Sequence, residues 1–132
     1  ATAKKLDWLR ELLPTLGVSA EFILGRAEEA VAGRREGYDV VTARAVSRLN
    51  ALCELCLPYV RVGGYFLPMK GPGAAEEVRR AEKAISLMGG RLVRRDVYQL
   101  GDAERQIPVI QKLRPTPERY PRAFAKIKQQ PL

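Results

Sequence analysis

The chain has 132 residues, with 23 Lys and Arg against 15 Asp and Glu and no histidine, and its formal net charge is +8. This length suits one domain with a buried core, and the absence of histidine excludes Ser-His-Asp and Cys-His triads and histidine metal sites. Hydrophobic residues make up 46% of the chain, which excludes a disordered composition, and no apolar run approaches the roughly 20 residues of a membrane-spanning helix.

The first part of the chain predicts one helix and two short strands. Leucines at positions 6, 9, 13 and 16 recur at helical spacing, with Thr2 as the cap and residues 14–17 as the stop. Residues 20–24 predict a strand that ends at the segment G-R-A-E-E. Residues 38–43 predict another strand, whose continuously apolar centre is typical of a strand covered on both faces. Residues 1–10 are amphipathic and unlike a signal peptide, so we expect a cytoplasmic protein.

The second part continues the alternation of helices and strands. Ser47 or Asn50 opens a helix to about residue 60, and two glycines at 63–64 turn into a strand at 65–70. A helix at 74–88 carries one apolar stripe and an exposed pair of Glu76 with Arg80. Segments 91–100 and 106–113 predict a closing antiparallel hairpin. This order predicts an α/β fold with a doubly wound sheet, in which ligands bind beyond the carboxyl ends of the strands.

Cys53 and Cys56 form a C-x-x-C motif inside the apolar helical run L-N-A-L-C-E-L-C. A reactive thiol pair is typically placed at a helix N-terminus, where the helix dipole lowers the thiol pKa. A zinc site needs two more ligands, and the chain has neither a third cysteine nor a histidine. We therefore predict that both cysteines are core residues, and we expect no metal site.

Residues 111–132 form a basic tail that contains four prolines, for which we expect little regular structure. The tail has one acidic residue, Glu118, against six basic residues, and it holds five of the eight excess positive charges. A polyanion is the natural partner of such a segment, and nucleic acid is the first candidate. The alternative is a basic tail that only increases solubility. The basic residues are Lys112, Arg114, Arg119, Arg122, Lys126 and Lys128.

Five segments in order carry a family resemblance. They are G-R-A-E-E at 25–29, Y-D-V-V-T-A-R-A-V at 38–46, V-G-G-Y-F-L-P-M-K-G at 62–71, R-x-x-x-V-I-x-K at 105–112 and P-T-P-x-x-Y-P-R at 115–122. With these segments the chain resembles the C-terminal half of the ribosomal RNA small subunit methyltransferase G family, also called glucose-inhibited division protein B. The resemblance implies a class I S-adenosylmethionine-dependent methyltransferase with a Rossmann-like sheet, acting on guanine N7 of small-subunit (16S) ribosomal RNA.

The resemblance also assigns roles to individual residues. It places Ala27 and Glu28 beside the adenine of S-adenosylmethionine, and Arg44 at the methionine end of that cofactor. Without it, Glu28 is as well explained by an exposed ion pair with Arg26, and Arg44 by a charge at a helix entry. Guanine N7 presents a lone pair and no proton, so methyl transfer needs alignment but no general base, and we expect no catalytic side chain. The predicted RNA-binding residues are Lys70, Arg105, Arg119, Arg122, Lys126 and Lys128.

The same comparison argues against methylation of an exocyclic amine. Enzymes of that kind resemble one another in an N-P-P-Y-like motif after this strand, where the present chain has T-A-R-A at 42–45. The chain departs from the family in its tail, where a glycine is normal after the Pro-Arg pair and Ala123 follows here. That departure argues against a flexible turn that contacts RNA at this position.

The chain also begins after the family's second strand, so it lacks the glycine-rich loop and the acidic residue expected to bind the cofactor. We therefore expect the 132 residues to be part of a single methyltransferase domain, monomeric and inactive alone, with about 100 residues upstream in the complete enzyme. One alternative is a natural short protein that binds RNA without catalysis. Another is a nucleotide-binding regulatory module with no RNA partner.

Overall fold

A computed structural model describes residues 2–44 and 47–132 of the chain. Ala1, at the start of the predicted amphipathic segment, and Ala45 and Val46, at the end of the second resembling segment, lie outside the described residues. The helices and strands, in chain order, are α1 (Ala3–Thr15), α2 (Ala27–Ala30), β1 (Tyr38–Arg44), α3 (Leu49–Cys56) with a 3-10 turn (Leu57–Tyr59), β2 (Val60–Met69), α4 (Ala74–Leu87), β3 (Gly90–Leu100), β4 (Ala103–Lys112) and α5 (Phe124–Gln129).

The four strands form one sheet in the order β1-β2-β4-β3. Strand β1 runs parallel to β2, and β4 runs antiparallel to both β2 and β3. The strands β1, β2 and β3 therefore point the same way, and β4 lies between β2 and β3 in the opposite direction. As a result the carboxyl ends of three strands and the start of β4 share one edge of the sheet.

Helices α3 and α4 pack against each other and against one face of this sheet. Phe66 of β2 and Ile110 of β4 are fully buried beneath them. Helix α4 contributes its predicted apolar stripe, and Glu76 and Arg80 form the predicted ion pair, with Nε and Oε1 3.0 Å apart. The remaining buried side chains of this core come from α3, the 3-10 turn, the start of β2, α4 with the residue after it, and the tail: Leu49, Leu52, Cys53, Leu57, Val60, Val78, Ala81, Ala84, Ile85, Met88 and Tyr120.

The structure confirms the predicted helices at the N-terminus and at 74–88, the strand at 38–43 and the antiparallel hairpin. The predicted strand at 20–24 is wrong, because this segment is irregular and none of the described strands lies beside it. A strand requires a neighbour to bond its N–H and C=O groups. Among the described residues, no helix is long and apolar enough to cross a membrane.

Strand β1 is not covered on both faces, contrary to the prediction. Val41 and Ala43 pack against the core, whereas the alternate residue Val40 is 53% exposed. The reason is that α3 and α4 lie together on one side of the sheet. In the described residues β1 is an edge strand, paired through β2 alone.

Strand β2 starts at Val60, five residues earlier than predicted, because Gly63 and Gly64 lie inside the strand instead of forming a turn before it. Gly63 has a φ of +85°, and the pairing of β1 with β2 changes register over this stretch. A Cβ at Gly64 would lie 2.5 Å from the carbonyl oxygen of Asp39. The glycines thus allow a bulge and a close approach of two strands.

The basic tail is ordered against the body of the protein, although most of it has neither helix nor strand, as predicted, apart from the end of β4 and one short helix. Helix α5 spans Phe124–Gln129, and its Ile127 is buried against Ala51 and Leu55 of α3. Arg35 donates hydrogen bonds to three tail carbonyl oxygens, those of Thr116, Pro117 and Tyr120, at 3.0, 2.8 and 2.7 Å. These three carbonyl oxygens of the tail therefore accept hydrogen bonds from a side chain outside the tail.

Lys112, the first basic residue of the tail, is fully buried. Its Nζ donates to the carbonyl oxygens of Leu57 and Val60 at 2.7 and 3.1 Å, and it lies 3.2 Å from the Glu36 carboxylate. Burial lowers the pKa of Lys112 from its ordinary value, and Glu36 opposes that shift. This lysine therefore connects β4 to the turn before β2 and faces no solvent.

Candidate functional site

The parallel strands bring three predicted site residues to the same edge of the sheet. Arg44, the last residue of β1, is paired with Met69 near the end of β2. Lys70 follows β2 and forms a bridge with Gln106, with N···O distances of 2.8 and 2.9 Å. Arg105 precedes Gln106 on β4, so it lies close to the end of β2 as well. The sheet register therefore places Arg44, Lys70 and Arg105 at one edge of the sheet, with the Lys70 side chain directed to the face that α3 and α4 cover.

These residues line a cleft of about 270 Å³ at the carboxyl ends of the strands, which we call the basic cleft. It is the position at which open α/β sheets bind ligands. Arg44 and Arg105 are exposed there, and two exposed cationic side chains at a cleft of this kind favour an anionic ligand. Its lining consists of Arg44, Met69, Lys70, Gly71, Tyr98 and Arg105.

Sequence reasoning missed Tyr98 as a lining residue. Met69 and Gly71 lie where a predicted strand ends, the position at which a ligand was expected, and the parallel register places Met69 opposite Arg44. Tyr98 lies opposite Arg105 in the hairpin of β3 and β4. The only sequence signal for Tyr98 was the hairpin itself, because the register across a predicted turn was not known.

Lys70 is already bonded within the protein. Its Nζ lies 2.8 Å from the carbonyl oxygen of Ser47 and 2.8 Å from Oε2 of Glu77, and its side chain is only 11% exposed. Glu77 also accepts a hydrogen bond of 3.1 Å from the N–H of Leu49 at the start of α3. Lys70 thus joins the end of β2 to two helices. Its predicted contact with RNA stays a prediction, and any such contact must compete with these bonds.

Arg44 and Arg105 are the exposed cations of the basic cleft. Arg105 makes one long hydrogen bond, of 3.4 Å, to the carbonyl oxygen of its neighbour Glu104. An exposed guanidinium offers up to five N–H donors in a planar fork, which suits a carboxylate or a phosphate. These two side chains are therefore placed to bind anionic groups.

Ala27 and Glu28 do not line the basic cleft. Ala27 opens α2 and lies with Val40, Thr42 and Tyr59 along an apolar cleft of about 360 Å³ beside β1. Its carbonyl oxygen accepts a hydrogen bond from the Tyr59 hydroxyl, whose pKa is raised by burial. Thr42 is two residues before Arg44 on β1, so the apolar cleft leads towards the basic cleft. The adenine contact predicted for Ala27 and Glu28 stays a prediction.

Glu28 faces a third cleft, between the tail and the segment 25–36 around α2, which we call the α2 loop, and this cleft is lined in part by Arg122 and Phe124. Nε of Arg26 lies 2.8 Å from Oε1 of Glu28, which is the loop ion pair that remained an alternative explanation of this segment. The Arg26 guanidinium also lies over the Phe124 ring, 5.2 Å from its centre. The α2 loop and the tail are therefore in contact.

The predicted RNA-binding residues of the tail fall into two groups. Arg119, Lys126 and Lys128 are exposed. Arg122 instead binds the buried Glu54 carboxylate through its backbone N–H, Nε and Nη2, at 2.9, 2.8 and 2.7 Å. The hydrogen bonds with Glu54 raise the pKa of Arg122 above its ordinary value. Arg122 therefore fixes the tail to α3, and its predicted contact with RNA stays a prediction.

Cys53 is buried in the core, as predicted, and Cys56 is partly exposed on the same helix. Burial raises the pKa of the Cys53 thiol, and it raises that of Cys56 to about 12. A thiol with so high a pKa is a poor nucleophile at neutral pH, because the thiolate is the reactive form. The C-x-x-C motif therefore lacks the lowered thiol pKa that a redox-active cysteine pair needs.

We expect Cys56 in the folded chain to react with iodoacetamide at pH 8 about a thousandfold more slowly than a free thiol, because each pKa unit lowers the thiolate fraction tenfold. Its rate should rise tenfold per pH unit up to about pH 12. Mass spectrometry of the alkylated chain measures the reaction rate of each cysteine at each pH. The denatured chain, in which both cysteines should react fully, is the control. Rapid alkylation of either cysteine in the folded chain would contradict the assignment to the core.

The comparisons with known proteins agree with this architecture. A solved T. Thermophilus 16S rRNA N2 G1207 methyltransferase, in complex with AdoMet and guanosine, matches with a TM-score of 0.50 and 18% identity over 82% of this chain and 28% of that chain. The parallel strands with an inserted antiparallel β4 have the fold of class I S-adenosylmethionine-dependent methyltransferases. The family model for rRNA small subunit methyltransferase G matches residues 1–107. The chain belongs to this family, which confirms the resemblance seen in the sequence.

Curated relatives cover nearly the whole chain. The ribosomal RNA small subunit methyltransferase G of Lactobacillus acidophilus is 39% identical over 98% of this chain and 56% of its own length. The corresponding proteins of Clostridium novyi and Geobacillus kaustophilus are 42% and 41% identical, and the match covers 55% and 56% of their lengths. The present chain therefore spans about half the length of the curated relatives that it matches.

Proposed function

We propose that the protein, at its full natural length, transfers a methyl group from S-adenosylmethionine to N7 of a guanine in small-subunit ribosomal RNA. The observation that carries this proposal is the basic cleft of a class I methyltransferase fold, with the exposed Arg44 at the carboxyl end of β1 and the exposed Arg105 near the start of β4 at the same edge. Membership of the methyltransferase G family supports the choice of substrate.

The residues of this chain fit the proposed cofactor at two places. Arg44 is exposed at the end of β1, where its guanidinium would bind the carboxylate of the methionine part. The N–H groups of Ala27 and Glu28 lie in the first turn of α2, where a helix leaves such donors without an intrahelical acceptor. When bound, S-adenosylmethionine supplies the methyl group on a sulfonium. Arg44, at the carboxyl edge of the sheet, would hold one end of the cofactor, and Ala27 and Glu28, beside the apolar cleft along β1, would hold the other.

Methylation of guanine N7 needs no general base, so the side chains at the basic cleft suit this reaction. The N7 lone pair forms the new bond as the bond from sulfur to the methyl carbon breaks, and no proton leaves the base. Alignment and electrostatic positioning can therefore supply the rate enhancement without a general base. Arg105, exposed at the opening of the basic cleft, would bind an RNA phosphate and orient the target nucleotide.

The test is incubation of the natural full-length protein with labelled S-adenosylmethionine and small-subunit ribosomal RNA, followed by nucleoside mass spectrometry. We expect one N7-methylated guanosine. Methylation of an exocyclic amine would contradict the proposed position. RNA binding without cofactor binding would favour the alternative of an inactive RNA-binding protein, and nucleotide binding without RNA would favour a regulatory module.

The exposed tail cations should determine the salt dependence of RNA binding. Neutralising Arg119, Lys126 and Lys128 to Gln should lower the slope of log affinity against log salt by about 0.7 to 0.9 for each phosphate that the variant no longer binds. Arg122 is kept in this variant because it binds Glu54. Filter binding between low and moderate salt measures the slope.

A matched control changes the same charge elsewhere, on the exposed face of α4, by replacing Arg79, Arg80 and Lys83 with Gln. The control should keep the wild-type slope. An equal change in both variants would mean that net charge alone matters, and no change in the tail variant would leave the tail as a solubilising segment.

We infer a cytoplasmic location from the ribosomal substrate, and the monomeric state stays a prediction that light scattering can check.

A further inference from the structure

Tyr98 is an aromatic residue in the basic cleft to which neither the fold nor the proposed cofactor contacts give a role. It lies on β3 directly opposite Arg105 of β4, and its side chain is 42% exposed. The ring–ring and cation–ring contacts among the described residues involve other rings, those of Tyr38 with Tyr59, Phe22, Phe124 and Tyr120. In the described chain, Tyr98 is therefore accessible from the basic cleft and engaged by no other ring or cation.

The surroundings of Tyr98 define the chemistry of that ligand. Met69, which lines the same cleft, is 44% exposed, so the cleft offers two apolar surfaces beside its cations. A ligand that matches this lining has both negative charge and flat apolar faces. An RNA strand has both, because its phosphates are anionic and every base presents a π-face.

We propose that Tyr98 stacks on a base of the RNA strand that enters the basic cleft. This inference rests on the proposed function and deepens it, because it assigns a base-contacting residue beside the phosphate-contacting arginines. The ring contributes through its face, so the hydroxyl has no part in the interaction. Stacking of this kind tolerates any base, and Tyr98 therefore holds the strand without reading its sequence.

The experiment compares Tyr98→Ala and Tyr98→Phe with the wild-type full-length protein, using in vitro transcribed small-subunit ribosomal RNA. Loss of one stacked base typically weakens binding by roughly 5- to 150-fold on substitution by alanine. Tyr98→Ala should show a loss in this range, and Tyr98→Phe should bind like the wild type. Val97→Ala is the matched control, since Val97 is a neighbouring exposed residue whose side chain points to the opposite face of the sheet.

The salt dependence separates stacking from charge. The ring releases no counterions, so Tyr98→Ala should keep the wild-type slope of log affinity against log salt while its affinity falls at every salt concentration. Arg105→Ala, in contrast, should lower the slope by about 0.7 to 0.9 if the variant binds one phosphate fewer.

The outcomes distinguish the two proposals. A wild-type protein that binds and methylates the RNA, with a Tyr98→Ala variant of equal affinity, overturns the stacking role alone. A Tyr98→Phe variant as weak as Tyr98→Ala also overturns it, because the hydroxyl would then carry the interaction. A wild-type protein that neither binds nor methylates the RNA overturns the proposed function, and the stacking role with it.

Discussion

Arg122→Ala is expected to lower the free energy of unfolding by about 3 to 5 kcal/mol, since removing one partner of a buried ion pair leaves the other charge uncompensated. Glu54 is only 1% exposed, and Nη2 of Arg122 lies 2.7 Å from its Oε2. The backbone N–H of residue 122 would remain as a donor to this carboxylate, but neither guanidinium bond would form. Urea unfolding followed by circular dichroism measures the change.

Arg119→Ala is the matched control, because Arg119 is an exposed arginine of the same tail whose replacement should cost only about 0.5 to 1 kcal/mol, through loss of its contact with the Tyr120 ring. The double variant Glu54→Leu with Arg122→Leu should recover much of the stability, since apolar replacement of both partners is often neutral. Equal stabilities of Arg122→Ala and Arg119→Ala would show that the pair contributes little. Loss of RNA binding in an Arg122 variant is informative only at temperatures at which that variant is folded.

The second large effect is expected for the cofactor. In the full-length protein, Arg44→Ala should weaken S-adenosylmethionine binding by roughly 10- to 150-fold, which corresponds to the loss of hydrogen bonds to a charged group. Arg44→Lys keeps the charge but not the planar fork, so it should recover only part of the affinity. Isothermal titration calorimetry with S-adenosylmethionine measures both variants.

Arg48→Ala provides the comparison for Arg44, because Arg48 is a nearby arginine that lines a different cleft, with Glu77 and Arg80. It should bind the cofactor like the wild type. Wild-type affinity in Arg44→Ala would leave the arginine as a charge at the helix entry, which was the alternative explanation from the sequence. The free energy of unfolding of Arg44→Ala and of Arg44→Lys should stay within about 0.5 kcal/mol of the wild-type value, since Arg44 is exposed.

Local patterns predicted the elements that depend on local forces. Helix α4 follows from its apolar stripe, and the hairpin of β3 and β4 from two adjacent β-rich segments. The segment at 20–24 has a strand-like composition, but a strand also needs a partner, and composition does not provide one. Whether one or both faces of β1 are covered likewise depends on where α3 and α4 pack, and the sequence of the strand does not show this.

The candidate site was predictable in part, for a similar reason. Placing Arg44 and Lys70 at one edge required only that their strands be parallel. Tyr98 required the register of the hairpin, and the internal bonds of Lys70 required the positions of α3 and α4. Helix α5 and the contacts of the tail were not predicted because its prolines and charges are typical of irregular chain, whereas the partners that order it, Arg35 and Glu54, lie far away in sequence.

The distance along the chain between those partners sets an order of folding. Arg35 and the carbonyl oxygen of Tyr120 are separated by 85 residues, and Glu54 and Arg122 by 68. During synthesis, Glu54 and Arg35 therefore remain hydrated until the tail leaves the ribosome, while the neighbouring pair of α3 and α4 can already pack. Because contacts that close loops of this length are costly in chain entropy, we expect them to form after the local contacts, so that the α2 loop and the tail become fixed together.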